Sequence, residues 1–278
     1  MTILVSNANG KVGQEVAKAL LASGQKVRIG ARDVEKAKKE FPGAEVVALD
    51  LTKPATLASA TQGVDAVFSA TPYELLPAGE EALIAAAKAA AVKRYVKLSA
   101  MGVEANPSSP HMLAEKALAA SGLEWTVLRP TFFMQNYATM AAGSVRSGAI
   151  YEPAAKGATS FVDTRDIATV AVAALTKPGH EGKVYALTGP TALTRDQVAA
   201  ALTKAIGKPV AYVEVDDAAL RGAMSGAPPS LVELMSGLFG FVRQGYTSGV
   251  TDDIAKVTGR PARDFATFAA DHAGVWKG

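Results

Sequence analysis

The first thirteen residues constrain the fold more than any other stretch of this chain. Ile3, Leu4 and Val5 form an apolar run that is too short for a helix and is typical of a strand buried on both faces. Asparagine and glycine at positions 7 to 10 favour a tight turn. Apolar residues then recur at helical spacing as far as Gly24, a residue suited to a left-handed C-terminal cap. The sequence therefore predicts a strand, a tight turn and a helix, in that order.

This turn is a candidate anion site. A helix N-terminus offers free backbone N–H groups and the positive end of its dipole, which together suit a pyrophosphate. Against the dinucleotide pattern G-x-G-x-x-G, the second and third glycines are Gly10 and Gly13, and Asn7 stands at the first position. Asparagine tolerates left-handed backbone, so the turn can still form. The pattern predicts dinucleotide binding; the alternative is an ordinary connection between a strand and a helix.

The residue that follows the second strand indicates which dinucleotide is bound. The apolar-rich stretch 26–31 predicts that strand, which lies beside the first in a right-handed βαβ unit and runs into Arg32 and Asp33. An acidic residue there selects NAD through the ribose hydroxyls, whereas an arginine pairs with a 2′-phosphate. Because Arg32 comes first, we expect NADP (NADPH) rather than NAD. The alternative is that Arg32 is a solvated strand-end residue and Asp33 caps the next helix.

Strands and helices continue to alternate as far as Pro130. Further strands are predicted at 44–49, 64–70, 94–99 and 125–129. The alternation predicts an α/β fold, a Rossmann-type doubly wound parallel sheet with strand order 3-2-1-4-5-6. Ligands of such sheets lie outside the carboxyl ends of the strands, so we expect Asp50, Ala70 and Thr71 on the cofactor side.

Beyond Pro130 the predicted strands and helices no longer alternate regularly. A short strand is predicted at Phe161–Asp163, a helix starts at Asp166, and Thr194 with Gln197 forms a capping box for another helix. We expect an NAD(P)-binding domain over 1–155. The remainder of the sheet and a small C-terminal α/β substrate lobe, over 156–278, are expected to interleave with it in a single structural unit.

Composition excludes several classes of function. The chain has 278 residues, 49% of them apolar, and a net charge of only +3 with scattered Lys and Arg, so nucleic acid is not indicated as a partner. The absence of cysteine excludes disulfides and thiolate chemistry, and three histidines without paired spacing indicate no metal site. No apolar run approaches the roughly 18 residues of a membrane span, and the N-terminus lacks the features of a signal peptide. We expect a soluble, cytoplasmic protein.

The segment that starts at His111 stands where short-chain reductases carry their Tyr-x-x-x-Lys pair, which this chain lacks. On a helix predicted over 110–121, His111 and Glu115 share one face and Lys116 points about 100° away. Glu115 reads as a solvated residue or an ion-pair partner of Lys116 or Lys93, structural rather than catalytic. His111 is the candidate catalytic residue; the alternative is that it caps its helix or bonds a backbone carbonyl.

Several runs together resemble the NmrA-like group of atypical short-chain dehydrogenases. The resemblance is carried by residues 7–13, by Arg32, by the segment from His111 to Asn136 and by 161–168. It covers most of residues 1–190, although Asn7 and Asn9 replace residues that are usually Gly and Thr. The group includes NAD(P)H-dependent quinone, azo-dye and triphenylmethane-dye reductases, phenylpropanoid reductases, and a fungal regulator that binds the dinucleotide without turnover.

The resemblance implies NADP on the first turn and Arg32, with Thr71, Ser99, His111 and the loop 132–136 lining the nicotinamide side. The full set of expected cofactor-binding residues is Asn7, Asn9, Gly10, Lys11, Val12, Arg32, Asp50, Ala70, Thr71, Pro72 and Ser99. The expected substrate-binding residues are Tyr73, Phe132, Phe133, Met134 and Asn136.

The missing tyrosine narrows the class of substrate. Reducing an ordinary ketone leaves an alkoxide, which needs a positioned acid. Without that acid, good acceptors are those that spread or cancel the charge they gain, such as a quinone, an azo group, an imine or a carbocationic dye. Water or a weak acid such as His111 can then complete protonation. Phe132, Phe133, Met134 and Tyr73 would provide a flat apolar floor for such a molecule.

We therefore expect an NADPH-dependent reductase of planar aromatic electrophiles. Its expected partners are small aromatic substrate molecules, and a homodimer is a possible assembly. The aromatic residues also read as core packing. A redox-sensing regulatory protein that binds NAD(P) without turnover is the second hypothesis, because it would need no proton donor. An epimerase fits poorly, since such enzymes resemble the tyrosine-bearing branch.

Overall fold

The computed structural model describes residues 1–277, which form two compact units. The first unit comprises Met1–Pro130, Thr164–Leu187 and Lys256–Gly259. The second comprises Thr131–Asp163, Thr188–Ala255 and the chain from Arg260 onward. The first break between the units thus follows Pro130, where a sheet strand ends, and the chain returns to the first unit at Thr164. The expected boundary at residue 155 stays a prediction.

The first unit is built on a parallel sheet of seven strands. Numbered along the chain, the strands of both units are β1 (Thr2–Ser6), β2 (Lys26–Ala31), β3 (Glu45–Ala48), β4 (Ala66–Ser69), β5 (Arg94–Leu98), β6 (Glu124–Pro130), β7 (Ala149–Glu152), β8 (Lys183–Leu187) and β9 (Ala211–Glu214). The order across this sheet is β3-β2-β1-β4-β5-β6-β8, and each neighbouring pair is parallel. The predicted Rossmann-type α/β fold and the order of its first six strands are confirmed, and β8 adds a seventh.

Helices follow most of the strands. No helix of residues 1–277 is both long enough and apolar enough to cross a membrane. The helices are α1 (Lys11–Ala22), α2 (Val34–Glu40), α3 (Pro54–Thr61), α4 (Ala78–Ala89), α5 (Pro110–Ala119), α6 (Gln135–Ala138), α7 (Ala142–Arg146), α8 (Thr164–Thr176), α9 (Arg195–Ile206), α10 (Asp217–Ala223), α11 (Pro229–Arg243), α12 (Asp253–Thr258), α13 (Phe265–Asp271) and α14 (Ala273–Lys277).

Burial explains why the N-terminal stretch folds as it does. The side chains of Ile3, Leu4 and Val5 are completely buried because β1 is in the middle of the sheet, paired with β2 and β4. Helix α1 buries Val16 and Leu20 on one face and packs against α8 within the first unit. Removing each such side chain from water stabilises the fold by about 1.5–3 kcal/mol. The strand and helix that hold the first turn are therefore firmly anchored.

The second unit has its own aromatic core and a separate parallel pair, β7 with β9. Phe161 packs edge-on against Tyr137 and Phe265, and the indole Nε1 of Trp276 donates to the carbonyl of Tyr137 at 3.0 Å. The predicted strand at 161–163 is wrong, because only one isolated bridge forms there, between Phe133 and Val162. The capping box at the start of α9 is confirmed.

A buried cation lies inside this second unit. The guanidinium of Arg195 is fully buried; its Nε donates to Glu152 at 2.7 Å and its Nη1 to the hydroxyl of Thr159 at 2.7 Å. The same group stands over the ring of Phe161, 4.9 Å from the ring centroid. These contacts offset part of the cost of removing the charge from water, which is several kcal/mol, whereas Nη2 has no hydrogen-bond partner among residues 1–277.

Candidate functional site

The turn between β1 and α1 has the backbone that dinucleotide binding requires. Asn7 lies in the left-handed region with φ of 50°, as its asparagine predicts, and its carbonyl accepts from the N–H of Gly10 at 2.9 Å. A Cβ on Gly13 would be 2.3 Å from that carbonyl oxygen, and one on Gly10 would be 3.0 Å from the Asn7 amide nitrogen. Gly13 is thus needed for the close approach of the turn to the helix, and a side chain at Gly10 would be tightly packed against Asn7.

The start of α1 is free to receive an anion. Gly10 is its N-cap residue, no side chain caps the helix, and its first turn contains no acidic residue. Free N–H groups at a helix N-terminus suit a pyrophosphate. Lys11 follows directly, and burial lowers the pKa of its ammonium group. The residues present therefore fit the phosphates of a dinucleotide.

The same turn is tied to the end of β4. The side-chain amide of Asn7 donates to the carbonyl of Ala70 at 3.1 Å, and the N–H of Ala70 donates to the hydroxyl of Ser6 at 3.1 Å. Two of the expected cofactor residues, Asn7 and Ala70, are thus joined by a direct hydrogen bond. The carboxyl ends of β1 and β4 form one continuous surface.

Arg32 follows β2 and is exposed. Within residues 1–277 its guanidinium makes no hydrogen bond or ion pair. The neighbouring Asp33 caps α2, because its carboxylate accepts from the N–H of Lys36 at 2.9 Å. The acidic side chain at the strand end is therefore engaged with its own helix, and the arginine is the group available to a phosphate.

Two other expected cofactor residues have side-chain partners in the protein. The amide of Asn9 donates to Glu40 at 2.5 Å. The carboxylate of Asp50 accepts from the N–H and the hydroxyl of Thr52, which lowers the pKa of Asp50, and Lys53 lies 3.4 Å away. The cofactor role stays a prediction for Asn9 and Asp50, as it does for Val12, Pro72 and the rest of the expected set.

A buried carboxylate that the sequence analysis did not single out lies beneath Thr71. Glu80, in the first turn of α4, is fully buried and accepts hydrogen bonds from Ser69 at 2.9 Å, from Tyr95 at 2.8 Å and from Thr71. A signal was present in the sequence, because Glu80 shares a helix face with the buried residues Leu83, Ile84 and Ala87, which together follow the i, i+3, i+4, i+7 spacing.

Ser99, which follows β5, also donates its hydroxyl hydrogen to a buried glutamate. Its hydroxyl donates to Glu115 at 2.5 Å, and Arg129 binds the same carboxylate with its Nε at 3.1 Å and its Nη2 at 2.6 Å. Expecting Glu115 to be solvated or paired with Lys116 or Lys93 was wrong, because the residue is buried and its partner is Arg129. The bond to Glu115 raises the pKa of Arg129.

His111 stands in the first turn of α5, its ring 6.0 Å from the ring of Tyr73. Its Nδ1 is buried and has no hydrogen-bond partner among residues 1–277. Burial, reinforced by the charge of Lys97, lowers the pKa of His111 to about 3. The imidazole is thus neutral at pH 7, and any catalytic role would use a neutral ring; that role stays a prediction.

The expected substrate residues of the second unit pack into its core. Met134 is buried, and Phe132 lies against Phe161 and Phe239 with ring centroids 6.4 and 6.3 Å apart. Met134 also lines a cavity of about 190 Å³. Core packing is therefore observed for Met134 and Phe132, and acceptor binding by Phe132, Phe133, Met134, Asn136 and Tyr73 stays a prediction.

Taken by itself, the first unit is a dinucleotide-binding α/β unit with an open phosphate turn at the carboxyl edge of its sheet. The chain matches the NmrA-like family over residues 1–261, and it belongs to that family.

Three relatives illustrate the match. An NAD(P)H azoreductase of Xenophilus azovorans is 42% identical over 286 residues, which cover 99% of each chain. The structure of the NADPH-dependent quinone oxidoreductase of Escherichia coli with NADPH is 28% identical with a TM-score of 0.84, and the match covers 98% of this chain and 99% of that one. The triphenylmethane reductase of Citrobacter sp. with NADP(H) is 27% identical with a TM-score of 0.84, over 98% and 100% of the two chains.

Proposed function

We propose that this protein is an NADPH-dependent reductase that transfers hydride to a planar aromatic electrophile such as a quinone, an azo dye or an imine-like acceptor. Its family, and relatives named azoreductase, quinone oxidoreductase and triphenylmethane reductase, support an NAD(P)H-dependent reductase. The choice of NADPH and the class of acceptor are inferred from the residues of the site.

One observation carries the choice of cofactor. Arg32 is exposed directly after β2, and the adjacent Asp33 is engaged as the cap of α2. A guanidinium at this position pairs with a 2′-phosphate through charge-assisted hydrogen bonds, and NADH has no such phosphate. Asn7, Gly10 and the free N-terminus of α1 would hold the pyrophosphate in either nucleotide.

The class of acceptor follows from the proton chemistry of the site. When bound, NADPH supplies the hydride. This chain has no tyrosine at the helix position that usually provides an acid, and His111 is neutral at pH 7. A neutral imidazole can orient an acceptor oxygen or nitrogen through an N–H donor, but it is a weak acid. The favoured acceptors are those whose reduced form is stabilised by conjugation.

A two-part experiment tests this function. Binding of NADPH and NADH to the purified protein is measured by calorimetry. NADPH oxidation is then followed by absorbance with a quinone, an azo dye, a triphenylmethane dye, a cyclic imine and a simple ketone. We expect tighter binding of NADPH, turnover with at least one conjugated acceptor and none with the ketone. NADPH binding without turnover of any acceptor would favour the sensor hypothesis, and the absence of binding would refute both.

A further inference from the structure

The carboxylate of Glu80 is surrounded by hydroxyl groups. Ser69 and Thr71 approach one carboxylate oxygen, and Tyr95 approaches the other at 2.8 Å. Ser69, the last residue of β4, and Thr71 point to the same side of the chain, because both donate to the same oxygen of Glu80. Glu80 is completely buried, and Thr71 is 8% exposed. The carboxylate is therefore shielded from water by three side chains that can each donate one hydrogen.

Within residues 1–277 no cation pairs with Glu80. Lys97, the register partner of Ser69, is also buried, but its ammonium group donates to the carbonyl of Leu98 at 3.0 Å. Glu80 lies in the first turn of α4, and its side-chain hydrogen bonds come from three hydroxyl groups. Hydroxyl donors thus take the place of an ion pair.

The direction of these hydrogen bonds is set by the carboxylate. Ser69, Thr71 and Tyr95 each donate a hydroxyl hydrogen, and the two oxygens of Glu80 accept them. Burial and the charge of Glu80 raise the pKa of Tyr95 well above its ordinary value, which keeps the phenol hydrogen in place as a donor. Thr71 has one hydroxyl hydrogen, and Glu80 takes it. The hydroxyl of Ser69 lies 3.4 Å from the Thr71 oxygen, but it also donates to Glu80, so the oxygen of Thr71 keeps acceptor capacity.

Thr71 is at the same time joined to the nucleotide turn. The residue before it, Ala70, receives the side-chain amide of Asn7 on its carbonyl at 3.1 Å and donates its N–H to Ser6 at 3.1 Å. The segment from Ser69 to Thr71 is thus fixed on one side by the turn and on the other by Glu80. The position of the Thr71 hydroxyl is therefore fixed, and so is the direction in which it donates its hydrogen.

We propose that Glu80 is a positioning residue that holds the Thr71 hydroxyl as a dedicated acceptor for a donor group on the nicotinamide riboside half of the cofactor. This inference rests on the proposed function. The donor groups of that half are the ribose hydroxyls and the carboxamide NH₂. A fixed acceptor recognises either one without the cost of reorienting a hydroxyl that is free to rotate.

A double-mutant cycle tests the proposal. NADPH dissociation constants are measured by calorimetry for wild type, Thr71→Val, Glu80→Met and the double variant. We expect each single variant to bind NADPH about fivefold more weakly, the effect of one neutral hydrogen bond, and the double variant to bind about as weakly as either single one. Thr71→Ser, which keeps a hydroxyl, should restore most of the affinity. In turnover the KM for NADPH should rise while kcat at saturation stays near wild type.

Glu80→Asp serves as a second variant that keeps the charge and shortens the side chain, so the cycle can be completed even if Glu80→Met does not fold. Thr61→Val is the matched control, because it removes a buried hydroxyl that bonds the carbonyl of Leu57. It should lower stability and leave the dissociation constant within twofold.

Effects of the Glu80 and Thr71 variants that multiply to about twenty-five-fold would overturn the proposal, since independent residues combine in that way. Unchanged affinity in both Glu80 variants would also overturn it. Failure of the proposed function is a different result, because wild type itself would then bind no NADPH, or would bind NADPH without turning over any acceptor.

Discussion

Gly13→Ala should damage the nucleotide turn even though it replaces glycine inside a helix. The new Cβ would lie 2.3 Å from the carbonyl oxygen of Asn7, 2.9 Å from its carbonyl carbon and 3.1 Å from the Cα of Ala8. All three are main-chain atoms, which cannot swing aside as a flexible side chain does. The backbone of the turn or of α1 must therefore shift by about 1 Å to reach an ordinary contact distance near 3.4 Å.

Two opposing effects determine how much Gly13→Ala changes the free energy of unfolding. Overpacking costs about 1–3 kcal/mol, and replacing glycine by alanine in a helix interior gains about 1 kcal/mol. A clash with rigid backbone belongs at the upper end of the first range, so we expect a net loss of about 1–2 kcal/mol in the free energy of unfolding. Because the displaced residue is Asn7, the affinity for NADPH should fall by about tenfold or more.

Gly237→Ala is the matched control. Gly237 is an exposed residue inside α11, and a Cβ there would meet no atom within 4 Å. This variant should be more stable than wild type by up to about 1 kcal/mol, through helix propensity alone. Urea unfolding midpoints and NADPH calorimetry on both variants supply the comparison. A Gly13→Ala protein that gains stability as Gly237→Ala does, and binds NADPH as wild type does, would refute the reasoning.

Three further outcomes are expected. Arg32→Ala should weaken NADPH binding by about 1.5–3 kcal/mol and leave NADH nearly unchanged in calorimetry, while Lys36→Ala, an equal loss of charge nearby, should change neither; equal losses for both nucleotides would contradict the assignment. The folded pKa of His111, about 3, lies below the unfolded value of 6.5, so its contribution to stability is lost as the pH falls below 6.5. Between pH 7 and 5.5 wild type should lose about 1 kcal/mol more than His111→Gln in urea unfolding, and parallel pH dependences would show that the ring is not buried neutral. Arg195→Met should cost about 3 kcal/mol of stability by leaving Glu152 unpaired, and adding Glu152→Gln should recover part of it; a single variant as stable as wild type would show that the pair is dispensable.

Local patterns in the sequence predicted the first unit well. The bounds of β2 and the conformation of Asn7 follow from short-range preferences: an apolar run between polar residues, and the tolerance of asparagine for left-handed backbone. The stretch 161–163 has a similar apolar character, but its only pairing is the single bridge from Val162 to Phe133. β7 was missed because it is stabilised by pairing with β9, about sixty residues away, which a local pattern does not reveal.

The site was predictable where it depends on the backbone and less so where it depends on packing. The turn and Arg32 were identified from their positions relative to strands. Glu80 was overlooked because it stands beside the exposed Glu81 in an alanine-rich helix, although its spacing from Leu83, Ile84 and Ala87 indicated the buried face. The pairing of Glu115 with Arg129 joins α5 to β6 across the sheet, a contact that spacing along one helix cannot indicate.

The return of the chain to the first unit at Thr164 has a consequence for biosynthesis. Helix α8 covers α1, and β8 completes the sheet beside β6, yet both are translated only after more than thirty residues of the second unit. A nascent chain that has emerged only as far as Pro130 exposes the apolar face of the helix that carries the phosphate turn. The sheet that carries the nucleotide site is therefore incomplete until residue 187 has been translated, and we expect a protein truncated after β6 to need chaperones rather than to act as an independent cofactor-binding module.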